Sequence, residues 1–591
     1  MGTLGHDVIT LSVVNNRLVN ICREMGIAMM KTAYSPIFNE GLDFSCCLFN
    51  HKGEMISQAE FCPAQLAASI FVVEWSIKEM GVENLKPGDV ILHNDPYRGG
   101  CHIPEHCFIK PIFYQGKLAG FAANIGHLAE IGGKNPGGFA GDATEVYQEG
   151  LRIPPIKLVK GGVDDEDLWK LIMTNHRTPR NTLGDFSAMI GSLHVAERRL
   201  IHLLDEYGLE DFRQITEELM DVAEKRMRAE ISALPDGEYS FEDCMEDDGL
   251  LDKPTFIRTK VIIEGDTLIV DYSGSDPQAK GPINATYGVT AGATYNAIFH
   301  LTDPDIPRNI GAYRPIKIIA PPGTVVNCTH PAPEVGGNTE THPRIWEILM
   351  GAFSQAVPEK VAASDGGTCC NFLFGGVHPE TGQYYANYHL EGGGWGGRVN
   401  KDGNNTIIVP NGNCRNTPVE VFETRYPLLV NSYALEKDSG GPGKFRGGLG
   451  SRRKFTVVAP EITLSTLFDR VKVKPFGLFG GKGGGNASLS IRKKGARTFV
   501  PFTKAYGTNS PSKFSGIPIH QGDEIYLVSP GGGGYGPPFE RDPELVLRDV
   551  EDGFVSIKAA REEYGVAIKK TPEGLRVDLS ETKRLRYKRR R

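Results

Sequence analysis

Residues 94–133, NDPYRGGCHIPEHCFIKPIFYQGKLAGFAANIGHLAEIGG, hold the densest chemistry of the chain. His102 and Glu105 stand at HxxE spacing, and His127 and Glu130 repeat it, each pair beside two adjacent glycines, Gly99-Gly100 and Gly132-Gly133. Two imidazoles and two carboxylates make a donor set for a divalent metal, Zn or Mn before others. The competing reading is that His102, His106 and His127 are ordinary hydrogen-bonding histidines in Gly-rich turns. What favours a site is the chain between the pairs. Residues 107–113 and 118–125 are largely apolar and flank the turn Tyr114-Gln115-Gly116-Lys117, a hairpin pattern that brings both pairs to one sheet end.

The elements that must position this hairpin are read from periodicity. Over residues 7–33 the apolar positions Leu11, Val14, Leu18, Ile21, Met25 and Met29 keep helical spacing. DFSCCLF (43–49) reads as a buried strand closed by the turn at 50–53; Asp43 at its head is either a ligand or a turn cap. A second helix is expected over about 64–80, with Gln65 near its start, and a helical region over 164–234 with charged outer faces. Past Pro235-Asp236-Gly237 the texture turns to strands, with a hairpin around Glu264-Gly265-Asp266. A polar group, Glu334, Asn338, Glu340, His342 and Arg344, precedes a helix expected over 345–357 and reads as a substrate-binding or interface element, or as a plain polar turn.

The expected fold class is α+β in several modules: an N-terminal module 1–163 with the candidate site, a helical segment 164–235, a central module 236–425, a Gly-rich β module 426–570, and a basic tail 571–591 read as solvated. At 591 residues the chain is long enough for about three or four modules, and its 71 glycines call for many tight turns. Composition excludes some functions. A formal net charge of −7 argues against a general nucleic-acid surface, and no apolar run reaches membrane-spanning length. The eleven cysteines lack zinc-finger or disulfide-framework spacing, so a cytoplasmic protein with reduced thiols is expected. The Gly-rich segments 392–394, 480–485 and 531–534 lack a Gly-Lys-Ser/Thr ending, so turns and close backbone packing explain them better than phosphate binding.

Taken in order, EMGIAMMKTAYSP, DFSCCLF, NDPYRGGCHIPEH, IGGKNPGGF, EVYQEGLRIPPIKL, VDYSGSDPQAKGPIN, NTPVEVFE, DSGGPGKFRGGLG and GGGGYGPPFERDPELVLRDV make the chain resemble the hydantoinase B/oxoprolinase family over nearly its whole length. The resemblance implies one half of an ATP-dependent enzyme. Its partner, a hydantoinase A-like subunit, binds ATP, and a small additional subunit can accompany them. The small-molecule substrate is a ketone or a cyclic amide. The resemblance places a divalent metal (Zn, Mn or Mg) on Asp43, His102, Glu105 and His127, with His102, His127 and Glu130 catalytic. The chain departs from the family pattern at four positions. It has Glu105 and Glu130 where Asp is usual, and Leu128 and Gln65 where His is usual. Those departures lean the expectation toward a ketone carboxylase of the acetophenone type, which joins a phosphorylated enol and bicarbonate-derived CO2 into a 3-oxo acid. The alternatives are a subunit of an ATP-dependent hydantoinase, 5-oxoprolinase or lactamase, and a metal-free structural paralogue.

Overall fold

The computed structural model describes residues 5–590. The first sheet has seven strands, β1 Phe44–Asn50, β2 Met55–Gln58, β3 Val90–His93, β4 Glu105–Tyr114, β5 Lys117–His127, β6 Ile156–Lys160 and β7 Val163–Asp164. Their order is β2-β1-β5-β4-β3-β6-β7, and every pair is antiparallel. The β4–β5 hairpin turns at Gln115 and Gly116, both at positive φ, as a two-residue turn that follows the strand twist requires.

Both faces of this sheet are covered, which is why β1 reads as a continuous apolar run rather than an alternating one. On one side Phe44, Cys46 and Leu48 join a core with helices Val8–Thr32 and Pro179–Tyr207; on the other Cys47 and Phe49 meet helix Pro63–Met80. Each fully buried Leu, Ile or Phe of these layers contributes about 1.5–3 kcal/mol. Asp7 caps the first helix by accepting from Thr10 N, and that helix buries the six apolar positions its periodicity marked. The expected helical region contains Glu166–Thr174, Pro179–Tyr207 and Leu209–Ser232.

A four-stranded sheet follows, Gly237–Met245, Thr255–Glu264, Thr267–Asp271 and Ile316–Ile319, covered by helices Tyr287–Leu301 and His342–Phe353. The last helix begins three residues before its expected start, because Pro343 suits a first helical turn and a π-helical turn, Gly337–Thr341, leads into it. Two further sheets, of four and five strands, close around an aromatic core that includes Phe372, Phe422 and Phe455. The Gly-rich segments pack backbone on backbone there: a Cβ on Gly532 would lie 2.2 Å from Trp395 O, and one on Gly484 2.0 Å from Gly531 O.

The basic end leaves Lys583 and Arg584 exposed, as a solvated tail would, but it is ordered rather than disordered. A hairpin, Ile568–Thr571 with Gly574–Val577, leads into helix Leu579–Arg590, and Ala567 N donates to the buried Thr582 hydroxyl. Among the described residues no helix is long and apolar enough to cross a membrane, and the eleven cysteines are all free.

Candidate active site

Strand register builds the site. Glu105 opens β4 directly opposite His127, which closes β5, so cross-strand pairing puts both side chains on one face. On the other flank of β5, His127 N donates to Asp43 O at 3.1 Å just ahead of β1. Asp43, Glu105 and His127 thus stand at the same end of three adjacent strands. His102 joins from the bend before β4, where Glu105 N donates to His102 O. Gln65 comes from the first turn of helix Pro63–Met80, and Asn338 from the π-helical turn. All six side chains are buried.

Their hydrogen bonds fix the chemistry. His102 Nδ1 lies 2.8 Å from Val335 O; a carbonyl only accepts, so Nδ1 carries a proton. Nε2 faces Asn338 Nδ2 and Glu105 Oε1, each at 3.5 Å. The Gln65 amide donates to Asp43 Oδ1 at 2.9 Å and to Glu105 Oε1 at 3.1 Å, and Asn338 Nδ2 donates to the same Glu105 oxygen at 3.0 Å. Burial, and then the neighbouring Glu105 charge, push the Asp43 carboxyl up to about 7. His127 stacks on Tyr388, ring centroids 4.2 Å apart and planes within 14°, and stands 5.0 Å from the His102 ring. Neither of its nitrogens has a hydrogen-bond partner among the described residues, and burial, then His102, hold its pKa well below the ordinary value. Glu105 Oε2, Gln65 Oε1 and Asn338 Oδ1 are likewise buried and unpartnered. A buried cluster with this many free acceptors is arranged to receive donors.

Glu130 is not part of it. Its carboxylate takes Gly132 N at 2.9 Å, Arg177 N at 2.5 Å and Arg177 Nη1 at 2.6 Å, a closed set that fastens the loop after β5 to the start of helix Pro179–Tyr207. The later polar group also divides. Asn338 touches the cluster and Glu334 backs it, accepting from Ile103 N at 3.2 Å. Arg344 belongs to a buried ion network with Glu347 and Asp469, Glu340 accepts from Asn371, and His342 lies buried, its pKa pushed down to about 3 by desolvation alone.

Two contributors were missed in the sequence. Glu149 accepts from Glu334 N and Val335 N, so it holds the residue whose carbonyl takes the His102 Nδ1–H; burial raises its own pKa to about 8. It sits in EVYQEG, where only its place in that motif marks it. Tyr388 lies in an unremarkable strand, and nothing in its spacing points to His127.

The divalent metal expected on Asp43, His102, Glu105 and His127 finds the right donor types but not a ligand sphere. Among the described residues no three His, Cys, Asp or Glu side chains are grouped so as to hold an ion. The amides of Gln65 and Asn338 take one oxygen of each carboxylate, Asp43 Oδ1 and Glu105 Oε1, and leave Glu105 Oε2 free.

The family model described as hydantoinase B/oxoprolinase matches residues 7–538. The chain belongs to the hydantoinase B/oxoprolinase family. It is 35% identical to caprolactamase subunit beta of Pseudomonas jessenii, over 95% of this chain and 96% of that one. The crystal structure of ATP-dependent caprolactamase from Pseudomonas jessenii superposes with a TM-score of 0.91 at 33% identity, covering 99% of this chain and 100% of that one. Nucleotide-free acetone carboxylase superposes with a TM-score of 0.90 over 100% of this chain and 84% of that one; at 21% identity it speaks for the fold. The several separate sheets interleaved with helices match the caprolactamase architecture, in line with the α+β class read from the sequence.

Proposed function

We propose that this hydantoinase B-like chain is one subunit of an ATP-dependent enzyme that opens a cyclic amide, with a hydantoinase A-like partner binding the ATP. The observation that carries the reading is the end-to-end likeness to ATP-dependent caprolactamase, whose beta subunit matches at 35% identity. The ketone-carboxylase reading has the acetone carboxylase fold behind it, and the four departures at Gln65, Glu105, Leu128 and Glu130 remain its sequence argument.

The cluster supplies groups suited to moving a proton in a buried chamber. A general acid or base works best with its pKa near the working pH, and Asp43, pushed up to about 7, is the group that meets this condition. His127, held neutral, is a poor base and serves as a hydrogen-bond acceptor for water or an amide N–H. His102 presents Nε2 to the cluster, its ring held by the Nδ1–H bond to Val335 O.

The test is co-purification with the ATP-binding partner and turnover of caprolactam, hydantoin and 5-oxoproline, each with ATP and with or without labelled bicarbonate, beside acetone and acetophenone. Ring opening that consumes ATP and ignores bicarbonate is expected. Label fixed into a 3-oxo acid from either ketone would replace this reading by the carboxylase one, and the metal content of the same preparation tests the ligand set directly.

A further inference from the structure

Two cysteines from distant parts of the chain meet at the Asp43 end of the cluster. Cys62 stands at the N-cap of helix Pro63–Met80, and Cys414 lies in the irregular chain that follows Asn411. The segments that carry them are tied together. Ala64 N donates to Asn411 O at 3.1 Å, Cys62 Sγ donates to the same carbonyl at 3.2 Å, and Asn413 Nδ2 donates to Phe61 O at 3.2 Å. Asn413 takes a left-handed φ of 52°, and the turn it makes brings the next residue back toward Cys62 and Asp43. The two thiols are in hydrogen-bond contact, and that of Cys414 also bonds the Asp43 carboxyl.

The pair is reachable from one side. Of the eleven cysteines Cys414 is the one that is not fully buried, and it lines a pocket of about 620 Å³ between helix Pro63–Met80, helix Tyr287–Leu301 and the chain at 406–416. A reagent the size of peroxide enters such a space and meets Cys414 first, with the buried Cys62 behind it. An accessible sulfur backed by a second one is the arrangement of an oxidisable cysteine and the cysteine that resolves it. The Cys62 thiol and then burial hold Cys414 well above its ordinary pKa, and burial raises Cys62, so both are protonated at neutral pH and react slowly.

We propose that Cys414 and Cys62 form a reversible disulfide on exposure to hydrogen peroxide, which takes the Cys414 sulfur off the Asp43 carboxyl and disables the cluster. The Cys414 sulfur attacks one peroxide oxygen, the O–O bond breaks, and a Cys414 sulfenic acid and one water result. The Cys62 sulfur then attacks the Cys414 sulfur, the S–O bond breaks, and the hydroxyl leaves with the Cys62 proton as a second water. Each sulfur gives up one electron and the peroxide takes both. The bond itself is independent of the proposed ring opening; its effect on turnover rests on that reading.

Peroxide treatment of the reconstituted complex, blocking of free thiols with iodoacetamide, and tryptic digestion without reductant test it by mass spectrometry. Cys62 is the only cysteine of the tryptic peptide 53–78 and Cys414 the only one of 402–415, so these two peptides joined identify the bond. The joined pair is expected, released by dithiothreitol, together with a fall of at least about tenfold in kcat/KM that dithiothreitol restores. Cys414→Ser should keep its own untreated rate in peroxide, and Cys62→Ser should lose activity in a way that dithiothreitol no longer restores, because Cys414 then oxidises without a resolving thiol. Cys369→Ser should form the bond as the parent does, and melting curves check that each variant is folded. Absence of the joined peptides overturns the proposal, as do a bond from Cys414 to another cysteine and a bond that leaves kcat/KM unchanged. The joined peptides in a complex that opens no cyclic amide overturn the proposed reaction and leave the disulfide standing.

Discussion

The two HxxE pairs have the same spacing and opposite fates. His102 and Glu105 both face the cluster, because His102 sits in a bend and Glu105 opens a strand whose register against His127 is fixed. His127 ends its strand, and the three residues after it run into an irregular loop whose Gly132 has φ +76° and where a Cβ would lie 1.9 Å from Asn175 O. That loop turns Glu130 toward Arg177. Sequence spacing is therefore informative about a shared site only while both members lie on elements whose geometry is regular or pinned. One pair acts on the chamber; half of the other acts on the scaffold.

The sharpest way to break this contrast is to remove one member from each pair. His102→Ala deletes the side chain held by Val335 O and opens space between Val335 and Asn338. In the reconstituted complex, kcat/KM for the ring-opening reaction should fall by about 100-fold or more, the usual scale for a positioned proton-handling group. Glu130→Gln should leave kcat/KM within about threefold. Equal losses in the two variants would mean that Glu130 reaches the chemistry and that the division drawn here is wrong.

Stability should separate the same residues in the opposite sense. Glu130 is buried and Arg177 is 28% exposed, so the uncompensated arginine left by Glu130→Gln retains some water. The cost should lie near about 1–3 kcal/mol, below the figure for a fully buried pair. In a chain of this length that corresponds to a fall in Tm of only about 1–3 °C. Arg177→Ala strands a buried carboxylate instead and should cost more than Glu130→Gln; melting curves of the two variants decide it. The reverse order would place the buried partner on the wrong side of the pair.

Much of this was legible in the sequence, for reasons the contrast explains. Six apolar positions at helical spacing marked the first helix, and a two-residue turn between apolar runs marked the β4–β5 hairpin, because both signals are local. The hairpin in turn implied that both pairs meet at one sheet end; the pairing of Glu105 with His127 is a matter of register that the structure supplies. Asp43 was left open between cap and ligand, since its position depends on β1 pairing with β5, a contact between distant segments. Tyr388 and Asn338 arrive from even farther along the chain, Glu149 acts through Val335, 186 residues on, and no spacing rule encodes their meeting. At the basic end charge marks the exposed Lys583 and Arg584 but not the order: the helix is fixed by a few specific contacts, among them Arg586 to the carbonyls of Tyr564 and Arg541, which composition does not display.

The smallest effect expected concerns pH, and it belongs to the scaffold side. His176 lies next to Arg177, its Nδ1–H donating to Ile172 O at 2.8 Å, while Nε2 is buried and unpartnered among the described residues. Burial lowers its pKa, with the Glu130 charge opposing in part, and His106 is the other ring nearby at 6.2 Å. A folded-state pKa below the unfolded value of about 6.5 means that the unfolded chain takes up a proton the native state refuses. Stability from this group is complete above about pH 6.5 and is lost as pH falls from there, by at most about 1.4 kcal/mol per pH unit. His176→Gln removes the term, so the drop in Tm between pH 7.5 and 5.5 should shrink by about 1 °C, whatever the variant does to Tm at neutral pH. Because Glu130 stabilises the imidazolium, Glu130→Gln should deepen the same acid drop, and a shallower drop in that variant would show that the carboxylate spends its charge elsewhere.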